Sequence, residues 1–262
     1  MDKKFPLIFV IPVFNEARNI ESVLAGLAAQ ARNMDWCAVV VDDGSRDGTA
    51  EILARQKTAF AERLNVVVHP ANRGIAETLF DGYRDAAAQA TEDALLICLE
   101  GDGTSDLKLI APILELLQPR QFDLVIASRF IPGGGWVGFP WHRRLISRFG
   151  NYLLRKVCPY PRVTDFSIFY RGYRIDLVRN ALNKHGRTAF QGGHFSANAA
   201  FLLHCLTGRP RVSEVANRYD YRCKQGASSF RTFKTIFGYI GLLPTIRRLG
   251  LRHICRTAGQ SP

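Results

Sequence analysis

The chain lacks any run of about 18 consecutive apolar residues, the length a membrane-spanning helix requires. Its best candidate, Ile236 to Ile246, is interrupted by Pro244. No transmembrane anchor is expected, and no secretory signal either, because Phe5 to Val13 is short and passes directly into polar residues. None of the six cysteines forms a C-x-x-C pair, so zinc sites and disulfides give way to free thiols in a reducing compartment, with Cys37 and Cys98 buried on strands. Internal repeats are absent, and low complexity is confined to the polar end, Thr257 to Pro262. Acidic residues are scarce: 23 Asp and Glu stand against 35 Lys and Arg, a formal net charge of +12. Such an excess implies an anionic partner. Its 262 residues suffice for a full core, so one domain with an appended tail is expected.

What the chain has is a series of apolar runs that end in acids. Leu95 to Leu99 leads into Glu100-Gly101-Asp102-Gly103-Thr104, two carboxylates one residue apart. A buried strand that releases acids at its carboxyl end presents them at the crevice where open α/β sheets bind ligands. Two hard oxygen donors there suit Mg²⁺ or Mn²⁺ shared with a phosphate, although acidic turns after strands are common for purely structural reasons. Phe5 to Val13 ends in Pro12-Val13-Phe14-Asn15-Glu16, and Ile20, Val23, Leu24 and Leu27 come next at helical spacing. Cys37 to Val41 ends in Asp42-Asp43-Gly44-Ser45, with a helix predicted from Thr49. Leu64 to Val68 passes through Asn72-Arg73-Gly74 into a helix over Ala76 to Ala90, and Leu124 to Ala127 is a further strand. Strand alternating with helix predicts a mostly parallel α/β sheet.

The phrases PVFNE, VVVDDGSRDGT, NRG, EGDGT and ASRFIPGG, in this order, resemble family-2 glycosyltransferases of the GT-A fold. The resemblance is greatest to dolichol-phosphate mannosyltransferase and bacterial polyprenyl-phosphate relatives, and covers Phe5 to Arg231. It implies a mostly parallel central sheet flanked by helices, a catalytic domain over 1–229 and a basic amphipathic tail over 230–262. Pro12, Phe14 and Glu16 match the first nucleotide-contacting loop. Asp43, with Asp42 beside it, matches the acid that reads base or ribose, helix capping being the alternative; Asn72 and Gly74 belong to the same nucleotide site. Asp102 matches the carboxylate that holds Mg²⁺ or Mn²⁺ against the diphosphate. Glu100 stands where the family usually has aspartate, and Thr104 is either a weak metal ligand or the cap of a helix beginning near Leu107. Arg129, Arg143 and Arg144 match arginines that hold an acceptor phosphate. Tyr221-Arg222 and Gly226 to Phe230 resemble the segment that closes over the diphosphate. Because Ser229 replaces its usual lysine, Arg222 and Ser228 are assigned there, with Lys224 or Arg231 in reserve.

The resemblance implies an inverting, metal-dependent transfer of a sugar from a GDP- or UDP-sugar to a polyprenyl phosphate, at the cytoplasmic face of the membrane. The chain would bind there peripherally, with room for an integral-membrane partner subunit. A saccharide hydroxyl acceptor is the alternative and needs a general base, for which Asp165 is the nearest candidate; a structural acid paired with an arginine is its other reading. Under the lipid-phosphate reading Asp165→Asn is expected to be tolerated. A non-catalytic nucleotide-sugar or nucleic-acid binder is the remaining reading. From Arg218 to Arg256, nine Lys and Arg face one acid, Asp220, and Phe230, Phe233, Ile236, Phe237 and Ile240 fall near one helical face. That interleaving favours an anionic membrane surface over nucleic acid as the partner, with packing on the catalytic domain as the alternative.

Overall fold

The computed structural model describes residues 3–191, 196–226 and 232–258. Its first half has the predicted alternation: β1 (Phe5–Val13), α1 (Ile20–Gln30), β2 (Trp36–Asp42), α2 (Thr49–Phe60), β3 (Leu64–Val68), α3 (Ile75–Gln89) and β4 (Ala90–Cys98). Then come α4 (Ile110–Leu117), β5 (Leu124–Ser128), β6 (Gly135–Val137), α5 (Trp141–Val157), β7 (Arg171–Arg174), α6 (Ile175–His185) and α7 (Ser196–Leu206). The chain closes with β8 (Val212–Ala216), β9 (Arg218–Asp220), α8 (Thr232–Gly241), α9 (Leu243–Arg248) and α10 (Leu251–Ala258).

Seven strands form one sheet in the order β3-β2-β1-β4-β7-β5-β8. All neighbours are parallel except β7, which runs antiparallel between β4 and β5. β1, β2 up to Val41 and the 94–98 stretch of β4 are continuously apolar because helices cover both faces of the sheet; Ile8, Val39 and Leu96 are fully buried. With β1, β2, β4 and β5 pointing the same way, Pro12–Glu16, Asp43, Glu100–Asp102 and Arg129 emerge at a single edge. Parallel register sets their heights, with Val13 opposite Asp42 and Val10 opposite Cys98. Two glycines let the loops close up. Gly44, at φ +71°, has its Cβ direction filled by the Ala71–Asn72 backbone, and at Gly101 a Cβ would run into Val13.

β6 and β9 form a small parallel pair beside this edge. The segment expected as a tail is packed on the domain: Tyr239, Leu242, Ile246, Leu251 and Cys255 belong to the core, and Tyr239 lies against Gly150 of α5. Any interfacial role for that segment therefore falls to its outward residues. Among the described residues no helix is long and apolar enough to cross a membrane. Five of the cysteines are buried free thiols, and Cys223 is exposed.

Candidate active site

A cavity of about 630 Å³ opens at the strand-end edge. Ten of the residues singled out from the sequence line it: Pro12, Phe14, Glu16, Asp43, Asn72, Gly74, Glu100, Asp102, Arg129 and Arg143. Asp42, Thr104, Arg144 and Arg222 do not line it, and Ser228 lies outside the described residues.

The four residues outside the cavity have local reasons for their places. Asp42 is fully buried and its Oδ1 accepts from the backbone N–H and hydroxyl of Ser45, so it holds the turn and leaves Asp43 to face the cavity. Thr104 donates its hydroxyl to Asp102 Oδ1, which also accepts the Thr104 backbone N–H; the residue props the carboxylate rather than facing a ligand. Neither does Thr104 cap the short helix at Leu107, because Asp106 accepts from Lys108 N–H there. Arg144 donates from Nε to the Phe139 carbonyl at 3.1 Å and anchors the loop before α5. Arg222 is 69% exposed and forks onto Asp220, outside the cavity lining.

Lys224, held in reserve for the charge assigned to Arg222, does line the cavity. Its Nζ lies 2.9 Å from Glu16 Oε1 and 2.9 Å from Asp102 Oδ2, with only 8% of the side chain exposed. Burial works against the ammonium, but the two carboxylates outweigh it and hold the Lys224 pKa above its usual value. Asn19 completes the closure by donating to Glu16 Oε2 and to the Gln225 carbonyl. We expect Lys224→Ala to cut turnover on the order of tenfold or more, since the corner at Glu16 and Asp102 loses its ammonium. Arg222→Ala should stay within about twofold of wild type, as an exposed pair contributes little. Steady-state kinetics of the two variants, side by side, check the assignment.

Asp43 is held by three donors: His69 Nδ1 at 2.7 Å, Arg73 N–H at 2.8 Å and Gly74 N–H at 2.8 Å. His69 is buried between Asp43 and Asp81 and ties β3 to α3. The carboxylate is thereby fixed at the rim where Asn72 and Gly74 also lie, a preorganised acceptor for hydroxyl or N–H donors. Glu100 accepts from the Ser105 hydroxyl, and burial together with the neighbouring Asp102 charge pushes its pKa up to about 7. Glu100 and Asp102 are thus adjacent carboxylates on one wall, with the Lys224 ammonium already drawn to that corner.

Arg129 and Arg143 also line the cavity. Arg129 is 7% exposed and forks onto Asp165, Nε to Oδ2 at 2.7 Å and Nη2 to Oδ1 at 2.8 Å. The rings of Trp136 and Tyr219 surround its guanidinium carbon at 5.6 and 5.7 Å. Asp165 is fully buried, and its oxygens also accept from Ser167 and Ile168 N–H. It is the structural acid of the two sequence readings, so Asp165→Asn removes a buried counter-charge and is not expected to be tolerated. Arg143 donates to the Tyr221 hydroxyl at 2.8 Å. The aromatic wall of Phe139, Tyr219, Tyr221 and Tyr239 was not anticipated. Those rings are scattered over loops, β9 and α8, and no periodicity in the sequence marks them as neighbours.

Three comparisons with known proteins bear on the family and the fold. The model of glycosyl transferase family 2 matches residues 8–182. An undecaprenyl-phosphate mannosyltransferase of Micrococcus luteus is 30% identical over 179 residues, 66% of this chain and 68% of that one. A polyprenol monophosphomannose synthase of Mycolicibacterium smegmatis is 25% identical over 171 residues, 65% of this chain, which spans 62% of that protein's length. In fold, the chain is similar to glucosyl-3-phosphoglycerate synthase from Mycobacterium tuberculosis, crystallised with Mn²⁺ and UDP-glucose. The TM-score is 0.63 at 17% identity, covering 92% of this chain and 79% of that one. The mostly parallel sheet and its flanking helices are those of a GT-A-like fold, and the chain belongs to glycosyl transferase family 2.

Proposed function

We propose that this glycosyltransferase moves a sugar, with inversion, from a GDP- or UDP-sugar to a polyprenyl phosphate, using Mg²⁺ or Mn²⁺. The observation that carries the acceptor assignment is the Arg129–Asp165 pair. A hydroxyl acceptor needs a carboxylate free to take its proton. Asp165 has both oxygens committed. Burial pushes its pKa up, but the Arg129 guanidinium and the backbone N–H donors outweigh that and hold it below the ordinary carboxylate range. What faces the cavity here is guanidinium, which suits an acceptor that arrives as an anion.

The donor nucleotide lies along Pro12, Phe14, Asp43, Asn72 and Gly74, with its diphosphate toward Lys224. Glu100 and Asp102 fit a divalent cation: they are hard oxygen donors at a corner already selecting positive charge. A bound cation there supplies Lewis-acid stabilisation of the departing diphosphate. One acceptor phosphate oxygen forms a bond to the anomeric carbon as the bond from that carbon to the diphosphate breaks, and the electron pair leaves with the nucleoside diphosphate. Arg129 and Arg143 neutralise and align the nucleophile, and no proton needs to move. A nucleotide sugar and a lipid acceptor together place this work peripherally at the cytoplasmic membrane face. The relatives named for undecaprenyl and polyprenol phosphates support the lipid acceptor.

The test is transfer from GDP-mannose and UDP-glucose, with Mn²⁺, to polyprenyl phosphate or to free saccharides. Product is expected on the lipid alone. Arg143→Lys should raise the acceptor KM about tenfold while leaving donor KM unchanged, because lysine keeps the charge but loses the fork. Glycosylation of free saccharides in place of the lipid would overturn the acceptor assignment.

A further inference from the structure

The outer face of α5 carries an arrangement that the catalytic cavity does not use. Trp141, Leu145, Phe149 and Tyr152 are 72, 55, 50 and 61% exposed, at spacings of four, four and three residues that set them in one stripe. Water-facing helix surfaces ordinarily reverse this pattern. Packed on α5 through Tyr239, α8 adds exposed Phe237 and Ile240. Beside the stripe is a second cavity of about 720 Å³, whose lining includes Arg148, Tyr152, Arg155, Lys156, Tyr160 and Arg162 and no acid. None of its four cations makes an ion pair with a described carboxylate; Arg148 and Lys156 lie over the rings of Trp136 and Tyr152 instead. The inner face of the same helix brings Arg143, Ile146 and Ser147 into the catalytic cavity.

We propose that this basic cavity binds the phosphate headgroup of an anionic phospholipid while the stripe enters the acyl boundary, so that the outer face of α5 lies on an anionic bilayer. Concentrated cations without carboxylates attract a surface of opposite charge, and four large apolar side chains beside them need a nonpolar medium to cover them. A nucleic acid would satisfy the cations and leave Leu145 and Phe149 in water. Docked in this way, the bilayer meets the helix whose other side lines the cavity. The proposal deepens the peripheral membrane placement proposed above by naming the face that makes it, and does not rest on the identity of the acceptor.

Co-sedimentation of the full chain with vesicles tests it, using phosphatidylcholine alone and phosphatidylcholine mixed with phosphatidylglycerol. Truncation from residue 230 is a poor probe, because it removes core side chains such as Leu242 and Ile246. Charge reversal by Arg155→Glu, Lys156→Glu and Arg162→Glu together should lower binding to the mixed vesicles about tenfold or more. Leu145→Asp with Phe149→Asp should abolish it, and both variants should melt near the wild-type temperature. Wild-type binding should fall as salt rises, since exposed charges are screened. Undiminished sedimentation of the charge-reversed protein would overturn the proposal. So would a wild-type chain that binds an RNA oligonucleotide or glycerol phosphate but not the mixed vesicles.

Discussion

Asp102→Asn is expected to leave a folded protein whose turnover has dropped on the order of 10²-fold or more. The asparagine keeps an oxygen for the Thr104 N–H and hydroxyl that Asp102 Oδ1 now accepts, so the turn after β4 survives. On the other side it places an amide N–H₂ against Lys224 Nζ, where Oδ2 now accepts at 2.9 Å. The lysine is left with one carboxylate instead of two, and the corner loses one of the two hard anionic donors offered to a divalent cation. Several kcal/mol of leaving-group stabilisation are at stake, and each 1.4 kcal/mol or so is tenfold in rate. The measurement is kcat with saturating Mn²⁺, alongside a thermal melt. Near-wild-type turnover would remove Asp102 from the proposed metal site. Glu100→Asp should be milder, because it keeps the charge and restores the residue usual in the family.

The parts of this site legible in the sequence share one property: each is the end of an apolar run. β1, β2 and the second half of β4 announce themselves by continuous apolar residues, and the loops at the carboxyl ends of such runs must meet at one edge of a parallel sheet. Proximity in space was therefore readable for Glu16, Asp43 and Asp102 without any long-range information. The roles of individual acids were not, since Asp42 and Asp43 look alike until the turn at Gly44 shows which of them is consumed by Ser45. β7 was invisible for a different reason. Arg-Gly-Tyr-Arg carries no strand pattern, and Arg171 is buried only because Asn198 and the Phe166 carbonyl accept its guanidinium hydrogens. Its Gly172 admits Ile113 and Leu117 of α4 where a side chain would stand. Lys224 meets Glu16 across 208 residues and Asp102 across 122, a closure that local spacing does not encode.

Asp165→Asn should destabilise the protein by about 3 kcal/mol, the low end for breaking a buried ion pair. For a chain of this size that corresponds to a fall in Tm of roughly 6–12 °C. The carboxylate is fully buried, so its removal leaves the Arg129 guanidinium, itself 7% exposed, without a counter-charge in a site ringed by aromatics. Asparagine can still accept from Ser167 and Ile168 N–H, which keeps the local turn and the cost moderate. The sign with pH comes from the depressed folded pKa. The pair contributes its stability above the unfolded carboxyl pKa and loses it as pH falls through the folded value. Urea melts at pH 7 and in acid should therefore show the wild-type advantage shrinking on acidification. Arg129→Met added to Asp165→Asn should recover part of the loss, because no buried charge is then unpaired, yet transfer to polyprenyl phosphate should fall further, since the phosphate has lost a guanidinium. An Asp165→Asn protein as stable as wild type but devoid of transfer would instead make Asp165 the general base and restore the hydroxyl-acceptor reading.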